Sequence, residues 1–159
     1  MNTLSASTAH NPVAPAATNQ PRTSIASTLE NVAELGGRVL LSALFLISGV
    51  GKIGAYSGTA AYMSALGVPA GLLPVVIATE VLGAIALIVG WKTRITAFLL
   101  AGFTLLTGLV FHTNFADQIQ AIMFLKNVAI AGGLLLLVAH GAGTLSLDRR
   151  FAKSTNRGS

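Results

Sequence analysis

A few polar side chains interrupt otherwise apolar stretches of this sequence, and these residues are the best placed to do chemistry. Lys52, Glu80 and Lys126 carry ionisable groups within such stretches, His112 ends another, and Asn127 follows Lys126 directly. An ionised side chain at the centre of a membrane helix costs about 2.5 to 3.5 kcal/mol on insertion scales, so each one needs a partner, water or a purpose. We therefore predict that these residues form a ligand-binding or polar pocket.

Two interpretations of this cluster are open from the residues alone. In the first, the pocket binds a small polar or redox-active molecule, such as a quinone whose carbonyls accept hydrogen bonds from Lys126, Asn127 or His112. In the second, Glu80 neutralises Lys126 or Lys52, and the ion pair only locks neighbouring helices together. The sequence identifies no residue as catalytic.

Several other kinds of site are excluded by composition and spacing. The chain has no cysteine, which excludes disulfides, thiolate metal sites and a thiol nucleophile. The segment SGVGK at 48–52 lacks the earlier glycine and the following Ser or Thr of a phosphate-binding loop. His112 and His140 are predicted to close opposite ends of the membrane, so they cannot hold a haem between them. We predict no metal site, and a quinone is the cofactor that the pocket could accept.

The elements that carry these residues are four apolar runs, each long enough to cross a membrane. The sequence is 53% hydrophobic and 9% charged, with a mean hydropathy of +0.73, and a soluble domain of this size could not hide so much apolar surface. Helices of about 17 to 19 residues match the hydrocarbon thickness at the usual rise of about 1.5 Å per residue. The predicted fold is therefore all-α, a four-helix transmembrane bundle with helices at about 35–53, 72–90, 95–111 and 121–139.

The basic residues predict the orientation of these helices. The turn between the second and third helices contains Lys92 and Arg94, and further basic residues follow the fourth helix, whereas the segment 54–71 is uncharged. By the positive-inside rule, both termini are predicted to be cytoplasmic. The net charge of +5 is explained by this topology, and no nucleic-acid partner is predicted. In this orientation the pocket candidates all fall in the outer half of the bilayer.

The remaining segments are predicted to flank or connect the bundle. Residues 1–28 are predicted to form a disordered cytoplasmic tail, 29–151 the membrane domain and 152–159 a basic cytoplasmic tail. A short helix at the membrane surface is predicted within 56–68. Arg38 is predicted to snorkel to the interface or to pair with Glu34, and residues 148–150 are predicted to form a solvated end.

Five segments of the sequence occur in a recognisable order: RVLLSALFLISGVGKI, YMSALGVP, TEVLGAIALIVGWKTR, FH, and FLKNVAIAGGLLLLVAHGAGTLSLDRR. As an ordered set they resemble the DoxX family of small prokaryotic membrane proteins, from residue 38 to about 151. The resemblance implies a four-helix bundle in the bacterial inner membrane. It also marks Lys52, Glu80, His112 and Lys126 as positions that are polar in this family.

The resemblance also implies a class of function. Members of the DoxX family are often described as oxidoreductase subunits, because relatives resemble the membrane part of thiosulfate:quinone oxidoreductase, and others are associated with redox-stress complexes. We therefore expect a membrane subunit or scaffold of a redox-linked or stress-linked, quinone-associated system, with the lipid bilayer and other redox-complex subunits as partners. The alternatives are a small-solute binding or transport protein and a purely structural membrane partner. The apolar inner halves of the helices disfavour a channel.

Overall fold

The computed structural model describes residues 24–155, and helices account for most of them. No β-strand occurs within residues 24–155. The prediction of an all-α fold is confirmed. In chain order the elements are α1 (Ser24–Gly54), α2 (Tyr56–Ala65), a 3-10 turn (Ala70–Leu72), α3 (Leu73–Val89), α4 (Thr93–Phe111), α5 (Gln118–His140) and α6 (Leu147–Thr155).

Four helices, α1, α3, α4 and α5, are long and apolar enough to cross a membrane. The predicted number of spans is therefore confirmed, and α3, α4 and α5 begin and end close to their predicted bounds. The short helix predicted within 56–68 is present as α2. Proline stands in the first turn of α3, where its missing backbone N–H leaves no hydrogen bond unmade.

Helix α1 is longer than predicted, because it begins at Ser24 rather than near residue 35. Its first turns carry Ile25, Leu29 and Val32 at helical spacing, all exposed. A run of hydropathy marks only the part of a helix that lipid can cover, so it does not detect such an amphipathic extension. The predicted disordered tail is thus corrected for residues 24–28, which are helical, while residues 1–23 lie outside the described part. Similarly, α6 crosses the boundary predicted at 151/152.

The spanning helices pack as pairs, with α1 against α3, α4 against α5, and α3 beside α4. The core between them includes Leu87, Leu100 and Leu134, each no more than 1% exposed. Large aliphatic side chains also cover the outside of the bundle; Leu40 is 75% exposed and Ile47 is 73% exposed. A bundle that is apolar both inside and outside is suited to lipid rather than to water.

The two ends of the bundle differ, and we name them by what they contain. The cavity end holds the end of α1, the start of α3, the end of α4 and the start of α5, with α2 beside them. The terminal end holds the opposite ends of the same helices, together with α6.

At the terminal end, α6 is fastened to the turn between α3 and α4. The Asp148 carboxylate accepts the backbone N–H of Lys92 at 2.7 Å and that of Thr93, 55 residues away, at 2.9 Å. The N–H of Asp148 donates to the Gly90 carbonyl at 2.9 Å. The carboxylate therefore caps the N-terminus of α4 from a distant part of the chain. The prediction that residues 148–150 form only a solvated end is wrong for Asp148.

Arg38 is buried at the same end, so the prediction that it snorkels to the interface is wrong. It is 0% exposed, and its Nη2 donates to the Leu145 carbonyl at 2.5 Å. Gly90 ends α3 in the left-handed conformation, with φ of 70°, and a Cβ at this position would collide with Arg38 Nη1 and with Ser146. The segment before α6 covers the guanidinium of Arg38. Because this segment is far away in the chain, the residues next to Arg38 in the sequence do not predict the contact.

Candidate functional site

The Lys52 ammonium and the Glu80 carboxylate form an ion pair between α1 and α3. Lys52 Nζ lies 2.9 Å from both Oε1 and Oε2 of Glu80 and 2.6 Å from Ser48 Oγ. The Ser48 hydroxyl donates to Glu80 Oε1 at 3.1 Å. The side chain of Glu80 is 7% exposed and that of Lys52 is 25% exposed. The sequence predicted that Glu80 pairs with Lys126 or Lys52, and in the structure it pairs with Lys52.

Local helix geometry explains how these three side chains meet. Ser48 and Lys52 are one turn apart on α1, so both lie on the face that packs against α3. Gly49 stands beside Ser48, and a Cβ there would come within 3.1 Å of Glu80 Cβ and within 2.7 Å of a Val81 methyl carbon. The missing side chain at Gly49 therefore sets the close approach of the two helices across which the ion pair forms.

The opposite charges of Lys52 and Glu80 make the pair neutral overall, and its capacity for hydrogen bonds is only partly used. An ammonium has three N–H donors, and Lys52 has two oxygens of Glu80 and one of Ser48 within bonding distance. Glu80 Oε2 accepts from Lys52 alone, although a carboxylate oxygen can accept two bonds. The pair can therefore accept a further hydrogen bond but has little capacity to attract a net charge.

A cavity of about 380 Å³ opens beside the ion pair. All four spanning helices and α2 contribute to its wall. Most of the lining is apolar, with a few polar groups, a composition typical of small-molecule sites. The apolar wall includes Phe45, Val76, Phe103 and Ile130.

One polar group in the wall has no partner. Thr104 lines the cavity and is 3% exposed, and its Oγ1 has no hydrogen-bond partner in the structure. A helical threonine in an apolar setting normally satisfies its hydroxyl on the preceding turn. A buried polar atom left unbonded requires an explanation. Ser42 and Thr93 also have buried, unbonded hydroxyls, but only Thr104 of the three lines the cavity.

Two further polar side chains line the cavity from α4 and α5. His112 Nδ1 lies 2.8 Å from Gln120 Oε1, a bond that joins the end of α4 to the start of α5. Asn127 donates from Nδ2 to the Met123 carbonyl at 3.0 Å. Gly108 of α4 faces it, because a Cβ there would lie 3.1 Å from Asn127 Cβ.

Helix α2 covers one side of the cavity. The Tyr62 ring stacks on Phe111 of α4, with centroids 5.8 Å apart and planes inclined by 22°. Met63 is 4% exposed and lines the cavity with Tyr62. Beyond α2, Gly67 turns the chain with φ of 76°, a conformation that favours glycine.

The structure brings together most of the residues that the sequence singled out. Lys52, Glu80, His112 and Asn127 all line the cavity. Lys126 does not: its side chain is exposed on the outside of α5. Consecutive residues of a helix point about 100° apart, and the rotation of α5 that directs Asn127 into the cavity leaves Lys126 outside its wall. The prediction that Lys126 belongs to the pocket is corrected on this ground.

Three further residues belong to this site and were not predicted as part of it: Ser48, Tyr62 and Thr104. Ser48 has a signal, because it lies one turn before Lys52 on the same helical face. Thr104 and Tyr62 have none, since their places in the wall depend on how α4 and α2 rotate against their neighbours. Among the described residues, no group of three or more His, Cys, Asp or Glu side chains could hold a metal ion.

Comparisons with known proteins agree with this architecture. The sequence model of the DoxX family matches residues 33–113, which include α2, α3, α4 and most of α1. The chain is 49% identical over 125 residues to the Inner membrane protein YqjF of Escherichia coli strain K12, covering 79% of this chain and 96% of that protein. It is 40% identical over 120 residues to Inner membrane protein YphA of the same organism, covering 71% and 86% respectively. No solved structure matches.

Proposed function

The chain belongs to the DoxX family, and we propose that it binds a neutral, largely apolar molecule with a hydrogen-bonding head group in the cavity beside Lys52 and Glu80. A quinone is the class of molecule that fits best. We propose further that the chain acts as the membrane subunit or scaffold of a redox-linked system. Because it has no cysteine, electrons would have to pass through the bound molecule or a partner subunit.

The unbonded hydroxyl of Thr104 is the observation that carries this proposal. Thr104 lies in the wall of a mainly apolar cavity, and a rotation about its Cα–Cβ bond would let the buried hydroxyl donate a hydrogen bond to a carbonyl oxygen of a bound molecule. Glu80, which also lines the cavity, can accept a hydrogen bond from a hydroxyl at Oε2. A quinone carbonyl would accept a hydrogen bond from Thr104 only, whereas the hydroxyls of the reduced quinol would bond to both Thr104 and Glu80.

The neutral ion pair favours an uncharged ligand over a charged solute. Lys52 directs its ammonium at Glu80 and Ser48, so an anion would have to displace one of these bonds in a low-dielectric site. The lining comes from the cavity end and the middle of the bundle. These features support binding rather than passage of a charged solute across the membrane.

We propose that the cavity end faces the outside of the inner membrane and that both termini face the cytoplasm. The relatives are named inner membrane proteins, and basic residues concentrate at the terminal end, for which Lys92 and Arg94 are examples. The positive-inside rule supports this orientation. The ligand would then enter from the outer leaflet.

A purely structural membrane role is the second candidate function. It is favoured by the hydrogen bonds that Lys52, Ser48 and Glu80 make with one another, because these join α1 to α3 without any ligand. In this case the cavity would be a packing defect, and Thr104 would not contribute to binding.

Calorimetric titration of the full chain in lipid nanodiscs, with a short-chain ubiquinone as the probe, tests the proposal. The matched variants are Thr104→Val, which removes the unbonded hydroxyl, and Thr79→Val, whose hydroxyl bonds to its own helix outside the cavity. Because a buried hydrogen bond contributes about 1 kcal/mol, Thr104→Val should weaken binding about fivefold. Thr79→Val should leave the affinity unchanged.

A third variant, Val76→Phe, adds volume to the cavity wall and should abolish binding if the quinone occupies this space. Saturable binding that neither Thr104→Val nor Val76→Phe reduces would place the quinone elsewhere and contradict the proposal. Absence of binding to the wild-type protein, with all variants folded, would favour the structural role.

A further inference from the structure

Lys126 stands on the outer surface of α5 without a polar partner among residues 24–155. Its Nζ lies 3.8 Å from Met123 Sδ, and a thioether is a weak acceptor. The surface around it is apolar and exposed: Ile119 is 65%, Ile122 is 48% and Leu125 is 63% exposed. An ammonium is thus placed among side chains that face lipid.

The position of Lys126 along α5 makes this arrangement costly. It lies eight residues after Gln118, or about 12 Å into the helix at a rise of about 1.5 Å per residue. Glu80 lies at a similar distance, about 10 Å, from the start of α3. The flexible stem of a lysine can extend its ammonium toward the headgroups. This places the charge closer to the membrane surface, but it does not bring the charge out of the membrane.

Helix α5 also has the most uncovered surface of the four spans. Within its most apolar stretch 11% of residues are buried, against 22% to 28% for the other three helices. Ala129, about 60° around α5 from Lys126, and Gly132, about 120° around in the same direction, are exposed, and a Cβ at Gly132 would meet nothing within 4 Å. Small side chains beside a polar one allow a neighbouring membrane helix to approach closely.

We propose that Lys126 binds the carboxylate of an Asp or Glu side chain on a transmembrane helix of a different membrane protein. The partner's carboxylate would lie at the depth of Lys126, in the same half of the bilayer. It would neutralise Lys126 as Glu80 neutralises Lys52.

A second copy of this chain cannot provide that carboxylate. The sequence has five acidic residues. Glu80 is bonded to Lys52 inside the bundle, and Asp117 accepts the N–H of Ile119 at the very start of α5. The other three, Glu30, Glu34 and Asp148, lie at the terminal end. The partner therefore has to be a different protein.

The test uses a synthetic leucine-rich transmembrane peptide that carries one Glu at the depth of Lys126, with a matched peptide that carries Gln. The full chain is labelled with a donor dye through Ser154→Cys, since it has no native cysteine, and the peptides carry an acceptor. Energy transfer is measured in phosphatidylcholine vesicles. The Glu peptide should bind the wild type about tenfold more tightly than the Gln peptide does.

Matched variants assign this preference to Lys126. Lys126→Met should reduce binding of the Glu peptide to that of the Gln peptide, while Lys153→Met, which removes an exposed lysine from α6, should leave it unchanged. Lys126→Glu should prefer a peptide that carries Lys. Circular dichroism checks that each variant is folded.

Three outcomes would overturn the proposal. The first is equal binding of the Glu and Gln peptides to the wild type. The second is Lys126-dependent enrichment of acceptor-labelled phosphatidylglycerol without a preference for the Glu peptide, which would make lipid phosphate the ligand. The third is Lys126-dependent energy transfer between donor-labelled and acceptor-labelled copies of the chain itself without peptide.

Discussion

Lys52 and Lys126 are the same residue type in the same half of the bundle, yet their surroundings are opposite. Lys52 bonds to Glu80 and Ser48 between two helices, whereas Lys126 is exposed on the outside of α5. An ion pair in a low-dielectric setting stabilises the protein only while both partners are present. The contribution of each polar residue in this bundle therefore depends on its partner rather than on its depth.

At the residue scale, removing either member of the Lys52–Glu80 pair should destabilise the bundle. Breaking a buried pair costs about 3 to 5 kcal/mol, and the partial exposure of Lys52 reduces the expected loss to about 2 kcal/mol. Lys52→Met and Glu80→Gln should each show this loss in unfolding by SDS titration in mixed micelles. The double variant should lose less than the two single variants together. Additive losses would contradict a direct interaction between the two side chains.

At the element scale, the terminal end is held by contacts between segments far apart in the chain. Arg38 of α1 contacts the carbonyl of Leu145, and Asp148 of α6 bonds to the first N–H groups of α4. These bonds satisfy backbone groups that would otherwise be left unpaired at helix ends. Substitutions here should therefore loosen the ends of helices more than they disturb the cavity.

Gly90→Ala should destabilise the packing between α1, α3 and the segment before α6. The left-handed conformation of Gly90 costs an alanine about 1 to 2 kcal/mol, and the added Cβ would collide with Arg38 and Ser146. Gly102→Ala is the control, because a Cβ there meets nothing within 4 Å. SDS unfolding should show a loss of more than about 2 kcal/mol for the first variant and little change for the second. Equal stability of the two variants would show that the turn rearranges freely.

Asp148→Ala should expose the start of α4. Loss of a capping carboxylate costs about 1 kcal/mol, and hydrogen exchange at the amides of Lys92 and Thr93, the two groups that Asp148 caps, should become faster. Exchange at the amides of the core around Leu100 should change little. The neighbouring substitution Arg149→Ala is the control, since the Arg149 side chain is exposed. Unchanged protection at Lys92 in Asp148→Ala would mean that this cap does not persist in the membrane.

At the scale of the whole molecule, four apolar helices with an apolar exterior form a bundle whose polar side chains are concentrated at its two ends. The cavity end gathers the Lys52–Glu80 pair, His112 and Asn127, while the terminal end gathers Arg38 and the basic residues around the α3–α4 turn. The inner-membrane relatives support a lipid environment for this surface. The orientation of the bundle then determines from which side of the membrane a ligand can enter the cavity.

The proposed orientation predicts which positions a membrane-impermeant maleimide can label. Thr113→Cys lies in the loop at the cavity end, and Ser154→Cys lies on α6; both residues are exposed. In intact spheroplasts, Thr113→Cys should be labelled, whereas Ser154→Cys should react only after lysis. The cysteine-free wild type provides the background. Labelling of Ser154→Cys in intact spheroplasts would reverse the orientation and place the cavity on the cytoplasmic side.

Much of the fold follows from the sequence because insertion depends on transfer free energies that each segment carries itself. Runs of apolar residues predict the four spans and their approximate ends. The amphipathic extension of α1 before residue 35 escapes this criterion, since its apolar residues are spaced along one face and form no continuous apolar run. Ionic groups at a shared depth also predict a polar site, because a charge in a membrane has few alternatives to a partner.

The sequence by itself determined the residue types and depths of the candidate site, and only the tertiary structure decided which of those residues share it. Lys126 and Asn127 are adjacent in the chain and nearly equal in depth, but the rotation of α5 directs Asn127 to the cavity and Lys126 away from it. The same holds for Thr104, whose place in the wall depends on the packing of α4, and for Arg38, which the segment before α6 covers. Helix rotation and contacts between distant segments arise from the packing of all the helices together, so no single stretch of sequence specifies them.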